Sequence, residues 1–164
     1  LQEPYLFSRT LAENIALGGG NAEIEDIKEA AGTASLLETI ESFKEGFETT
    51  VGERGVTLSG GQKQRTAIAR MLIGKSPIMV FDDSLSAVDA ETDAKIRKGL
   101  MEKGKNSTVI IISHRITTLM AADNILVLDK GRLVESGTHD ELIKNTGIYR
   151  KIYDIQSVAL NYEE

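Results

Sequence analysis

Leu58-Ser59-Gly60-Gly61-Gln62 runs directly into Lys63-Gln64-Arg65-Thr66-Ala67-Ile68-Ala69-Arg70, and the reading of this stretch decides the fold. The second part combines good helix formers with apolar positions at helical spacing. It predicts a helix from Ser59 to Ile73, ended by Gly74 and Pro77. A serine and two glycines at its start point backbone N–H groups and a hydroxyl outward, where the macrodipole favours an anion. Taken alone, this is a generic anion site or an ordinary loop capped by Ser59.

Outward from that helix, Pro77-Ile78-Met79-Val80-Phe81-Asp82-Asp83 is a short apolar run closed by two acids. It reads as a buried parallel strand delivering carboxylates to its C-terminal edge. Thr108-Val109-Ile110-Ile111-Ile112-Ser113-His114 repeats the plan with a histidine at the end. Open α/β sheets take ligands beyond the carboxyl ends of their strands, so Asp82, Asp83 and His114 stand where a nucleotide would lie. This order of motifs resembles the nucleotide-binding domain of ATP-binding cassette (ABC) transporters, of the exporter type. The resemblance implies an α/β fold. It consists of part of a P-loop NTPase (RecA-like) core with a parallel sheet, plus the ABC α-helical subdomain.

Bulk properties narrow the partners. In 164 residues, 41% hydrophobic and 27% charged residues are ordinary for a soluble globular chain. A formal charge of -6 argues against a nucleic-acid partner, because phosphate backbones want a basic face. The lack of cysteine excludes disulfides and thiolate metal sites, and fits a reducing compartment. No apolar stretch approaches the roughly 18 residues of a membrane helix, and no signal-peptide pattern opens the chain. If the protein works at a membrane, another segment or chain must meet the lipid.

The first half reads as helical. Ser8 or Thr10 is placed to cap a helix through Leu11, Asn14, Ile15 and Leu17, stopped by Gly18-Gly19-Gly20. Residues 24–31 and 34–40 give two more short helices, and 46–55 an extended loop. The second half alternates strands at 78–82, 108–112 and 125–129 with helices at 90–103 and 115–121. Lys130-Gly131 is a turn signal that returns 132–136 as an antiparallel strand. Helices at 139–145 and 147–157 complete the chain, with a frayed tail to Glu164.

No G-x-x-x-x-G-K-[ST] occurs, so the backbone cradle and lysine that grip nucleotide phosphates are missing. Leu1-Gln2-Glu3-Pro4-Tyr5-Leu6-Phe7 resembles the Q-loop of ABC exporters, which in the family follows that cradle. The chain is therefore expected to be the C-terminal part of a nucleotide-binding domain, fused in its parent after membrane helices. Residues 1–75 would carry the Q-loop, helical subdomain, X-loop and signature. Residues 76–164 would carry the later strands of the ATPase core and the C-terminal helices.

The remaining roles follow from the resemblance, residue by residue. Ser59, Gly60, Gly61 and Gln62 form the signature, which in the family contacts the γ-phosphate of ATP held by the opposite subunit. Asp82 is similar to the Walker B aspartate, which holds Mg²⁺ through water; its plain alternative is a helix cap. A hard cation that keeps its waters suits a single carboxylate there. Asp83 stands where the family usually has a glutamate acting as general base. Aspartate is one methylene shorter, and a base must come within about 2.6–3.2 Å of the proton it takes. Geometry rather than pKa would then impair hydrolysis, making this chain's own site degenerate, as in heterodimeric multidrug-type exporters. His114 resembles the switch histidine that hydrogen-bonds the γ-phosphate. Gln2 would sense that phosphate and Mg²⁺. Ser86-Ala87-Val88-Asp89 is similar to the D-loop, a reading compatible with Asp89 as a helix cap. Thr50-Val51-Gly52-Glu53-Arg54-Gly55 resembles the exporter X-loop. His139 is assigned no chemistry, since Thr138 and Glu141 read as a capping box.

The whole protein would then be an ABC-type ATPase at the cytoplasmic face of the cell membrane, using ATP and Mg²⁺ to power export. Its partners would be a second nucleotide-binding domain and the membrane domain of its own parent chain. By itself the chain is expected to be soluble and inactive, with bared sheet edges that favour self-association. Two rival readings are a soluble ABC ATPase with no membrane span and a non-catalytic interaction module.

Overall fold

Thr10 starts the first helix. Its hydroxyl accepts the Glu13 N–H at 3.1 Å while the Glu13 carboxylate accepts the Thr10 N–H at 2.9 Å, so two orphan donors are satisfied at once. In the computed structural model, which describes residues 4–52, 55–74, 76–82, 89–103 and 107–160, this helix (α1) is Leu11–Ala16. It is followed by α2 (Ile24–Thr33), α3 (Leu37–Glu41), a 3₁₀ turn (Gly46–Glu48) and α4 (Gly60–Ile73). The chain then forms two compact units, Leu1–Ile110 and Ile111–Glu164.

In the first unit, α1 and α2 both pack on α4, and α2 also meets α5 (Ala90–Lys103). Leu11, Ile15, Ile27, Ala30, Ile68, Ala69 and Leu72 are buried and form the interior. Two of the three glycines after α1 do more than stop it. A Cβ on Gly18 would lie 1.7 Å from the Arg70 carbonyl oxygen, and one on Gly19 1.9 Å from Ile73 Cγ2. Only residues without side chains let the chain leave α1 against the last turn of α4.

At the centre of this unit is a polar residue. Asn14 is completely buried. Its Nδ2 donates to the carbonyls of Phe7 and Thr10, both at 3.0 Å, and its Oδ1 accepts from Phe7 N at 2.9 Å and from Arg70 at 3.1 Å. Arg70 also donates to the carbonyls of Asn14 and Tyr5, at 2.8 and 3.1 Å.

Strand β1 (Ile78–Asp82) has the bounds predicted, but only one of its faces is covered. Met79 and Phe81 are buried, whereas Ile78 and Val80 are 60% and 55% exposed. The continuous apolar run reads as burial on both faces; among the described residues one face is covered. Strand β2 (Thr108–Ile112) begins beside the start of β1: Thr108 N donates to the Pro77 carbonyl at 2.8 Å, and Ser107 Oγ to the Ser76 carbonyl at 2.9 Å. Neighbouring strands joined at their N-terminal ends run parallel, with α5 as the crossover.

The second unit contains α6 (Ile116–Leu119), β3 (Ile125–Asp129), β4 (Arg132–Gly137), α7 (His139–Leu142) and α8 (Ile148–Leu160). Strands β3 and β4 are antiparallel, with Asp129 opposite Arg132. The two turn residues, Lys130 and Gly131, have φ of 48° and 75°, the left-handed pair that a two-residue hairpin requires. Ile116, Ile125, Leu142 and Tyr149 form the core of this unit, with Leu119, Val127 and Tyr153 against it.

Several helix limits differ from the sequence reading, and α8 runs three residues beyond its predicted end. The segment predicted at 34–40 starts later, because α2 continues to Thr33 and closes with Leu36 N donating to the Ala31 carbonyl, while Ser35 turns to φ 52°. The segment predicted at 115–121 is shorter, since Arg115 is extended. The one predicted at 139–145 gives way after Leu142 to i to i−3 bonds at Lys144 and Asn145.

Replacing Asn14 by leucine keeps the volume but strips partners from several buried or half-buried groups at once. Asn14→Leu is expected to cost about 3 kcal/mol in urea unfolding of the chain. A loss under about 0.5 kcal/mol would show that these bonds do not organise the unit.

Candidate functional site

The start of α4 is built from its own sequence. Ser59 is extended (φ −65°, ψ 163°), as an N-cap must be, and its Oγ accepts the Gln62 N–H at 3.3 Å. The Gln62 side chain in turn accepts the Ser59 N–H at 2.9 Å, and Lys63 N closes the first helical bond on the Ser59 carbonyl. This reciprocal box uses the Gln62 N–H and leaves three donors directed out of the helix end: the Ser59 O–H and the N–H groups of Gly60 and Gly61. Ser59 and Gly60 are exposed. A Cβ on Gly60 would meet nothing within 4 Å, and its φ lies outside the left-handed region. Among the described residues neither packing nor backbone explains a glycine there.

Asp82 ends β1 with its side chain exposed, at the carboxyl edge where the sequence places it. Asp89 caps α5: its Oδ1 accepts the Thr92 N–H at 2.9 Å, and its carbonyl accepts the Asp93 N–H at 2.9 Å. That bond from Thr92 holds the Asp89 carboxyl below the usual aspartate range, and the Arg65 charge on α4 adds a smaller pull. In the second unit His114 is exposed two residues beyond β2. Among the described residues no three His, Asp or Glu converge on a metal ion. Gln2, Asp83, Glu53, Arg54 and Ser86–Val88 lie outside the described residues.

His139 has a packing role: its Nδ1 is 2.8 Å from the Tyr149 hydroxyl, and its ring packs edge-on against Tyr149 and tilted against Tyr153. Thr138 and Glu141 form the expected capping box. Sequence reasoning missed the partnership of Arg70 with Asn14 and that of Gln156 with the turn after β2. Gln156 Oε1 accepts the Ile116 N–H at 2.9 Å, and its Nε2 donates to the His114 carbonyl at 2.7 Å. The available signal was a polar residue on the inner stripe of α8, seven positions after Tyr149 and three after Tyr153.

Comparison with known proteins agrees with the motif order. The family described as ABC transporter matches residues 1–86. The chain is 44% identical over 158 residues to the putative multidrug export ATP-binding/permease protein YgaD of Bacillus subtilis, covering 96% of this chain and 27% of the relative. It is 49% identical over 156 residues to the uncharacterized ABC transporter ATP-binding protein YknU of the same organism, covering 95% and 27%. A solved structure of a bacterial Atm1-family ABC exporter with ATP bound superposes with a TM-score of 0.88 at 40% identity, over 94% of this chain and 27% of that one. The chain thus spans about a quarter of the length of these relatives. The likeness bears out the expected fold class, part of a P-loop NTPase core with its helical subdomain.

The cap at Asp89 gives a pH test. A carboxyl with a lowered folded pKa stabilises above its unfolded value, near 3.8, and that contribution is lost as pH falls through the folded value. Asp89→Asn keeps an N-cap without the charge. Its stability curve should lie below that of the parent at neutral pH and converge with it in acid. Parallel curves in pH-dependent denaturation would show that the charge adds nothing.

Proposed function

The chain belongs to the ABC transporter family, and on that premise we propose that it is the C-terminal part of an exporter nucleotide-binding domain whose α4 start engages ATP held by a second such domain. The observation that carries this reading is the outward trio of donors on Ser59, Gly60 and Gly61, with open space beside Gly60. An anion arriving from outside finds a hydroxyl, two N–H groups and the positive helix end, and the missing Cβ lets it come close. In this reading residues 1–75 form the Q-loop and helical subdomain, and 76–164 the later part of the ATPase core. Apolar residues exposed on β1 support further segments covering that face in the whole protein.

The residues fit Mg²⁺ of the kind that keeps its water: Asp82 is an exposed single carboxylate, and no closed cage of acids surrounds it among the described residues. When bound, the ion neutralises charge on the phosphates. Gln2 would orient water and phosphate beside it, and His114 would donate to the γ-phosphate. Asp83, shorter than glutamate, would hold the attacking water poorly, so this chain's own site is degenerate and its signature serves the competent site of a heterodimer. No described helix is long and apolar enough to cross a membrane. In this reading, which the ATP-binding/permease name of the relative YgaD supports, the lipid-spanning part belongs to the rest of the parent chain and this domain stands at the cytoplasmic face.

Three measurements test this. In the full-length protein with its partner, Ser59→Arg should lower ATP turnover by about a hundredfold or more while leaving nucleotide binding at this chain's own site intact. Asp83→Glu should raise single-turnover hydrolysis at that same site; no gain would remove the degenerate-site argument. The 164-residue chain alone should show no ATPase activity and at best weak nucleotide affinity, and a micromolar Mg-ATP constant by calorimetry would contradict the weak affinity.

A further inference from the structure

The turn that carries His114 is held from a distance of forty residues. One carboxamide, that of Gln156, closes on both ends of a three-residue stretch: it donates to the His114 carbonyl at 2.7 Å and accepts the Ile116 N–H at 2.9 Å. Between them Arg115 is extended (φ −88°, ψ 115°), and Ser113 Oγ accepts the Arg115 N–H at 3.1 Å. A single bond would allow the turn to pivot about it. Two bonds to one planar amide fix the two peptide planes on either side of Arg115, the first of them the plane that follows His114, and so restrict the direction in which the His114 side chain leaves the backbone.

The position of Gln156 on α8 argues the same way. Tyr149, Tyr153 and Gln156 follow at helical spacing along the face turned to the core, where Tyr149 is buried and Tyr153 half-buried. An apolar side chain would satisfy packing there. The amide instead meets two backbone groups that α6, starting at Ile116, leaves outside its own ladder.

We propose that Gln156 is a positioning residue for His114: helix α8 sets the reach of the imidazole toward a terminal phosphate through the paired bonds to His114 and Ile116. The proposal rests on the reading of His114 as a γ-phosphate donor. General weakening of the fold would loosen ATP and ADP alike, whereas a misplaced His114 loses only the contact that ADP never makes.

The test is therefore equilibrium binding of Mg-ATP and Mg-ADP to the full-length protein, with hydrogen exchange on the 164-residue chain. Gln156→Leu keeps most of the bulk and removes both bonds. It should speed exchange of the Ile116 amide and lower the ATP-over-ADP preference by about tenfold, with ADP affinity unchanged. His114→Ala should lower the preference at least as much, and the double variant no further, because nothing remains to be positioned. Gln156→Glu keeps the acceptor for Ile116 and loses the donor, so it should fall between parent and leucine variant; it carries the test if Gln156→Leu does not fold. An unchanged preference in a folded Gln156 variant, additive losses in the double variant, or an unchanged Ile116 exchange rate would overturn the positioning role. An unchanged preference in His114→Ala would overturn the reading of His114 itself, and the positioning role with it.

Discussion

Arg70 is the fixed point on which the first unit depends. Its guanidinium makes its recorded bonds to neutral oxygens, the Asn14 carbonyl, the Asn14 side chain and the Tyr5 carbonyl, and lies 6.0 Å from the Phe7 ring centroid. Burial pulls its pKa down, yet a guanidinium remains charged at any physiological pH. A half-buried cation without its oxygens would be costly, so the segment Tyr5–Thr10, α1 and the end of α4 assemble together. Gly18 and Gly19 permit the close approach that this requires. The other end of α4 is closed by the Ser59–Gln62 box. With both ends held, the donors at Gly60 and Gly61 are preorganised instead of being ordered when an anion arrives.

How much of this was legible in the sequence depends on the range of the interaction concerned. Strands 78–82, 108–112 and 125–129 have the bounds read from their apolar runs, and the α4 start was readable from Ser59 and two glycines. All of those signals are local. Helix limits failed where the chain did something its composition does not announce, as at Ser35 in the left-handed region or after Leu142, where the ladder tightens. Asn14 reads as one member of a helical stripe, although its side-chain amide joins residues 7–10 to Arg70, fifty-six positions away on α4. Gln156 likewise reads as a polar break in an apolar face. Bonds from side chain to distant backbone leave no periodic trace, so such residues come to light only when the partners are seen together.

Three capping boxes among the described residues separate structural need from the demands of the proposed site. Thr10 is paired with Glu13 and Thr138 with Glu141, and a negative charge in the first turn favours both helices through the macrodipole. Ser59 is paired with Gln62 instead, and α4 has no acid in its first turn. A glutamate at position 62 would make the same two bonds and would stabilise the helix end further. In a chain of net charge -6, where acids open α1, α2, α3, α5 and α7, a neutral cap at the longest helix of the first half is not what helix stability alone selects. A carboxylate there would stand beside the donors of Ser59, Gly60 and Gly61 and repel a phosphate approaching them. Glutamine closes the helix end and leaves its positive field uncompensated, which suits an end whose counter-charge comes from another molecule.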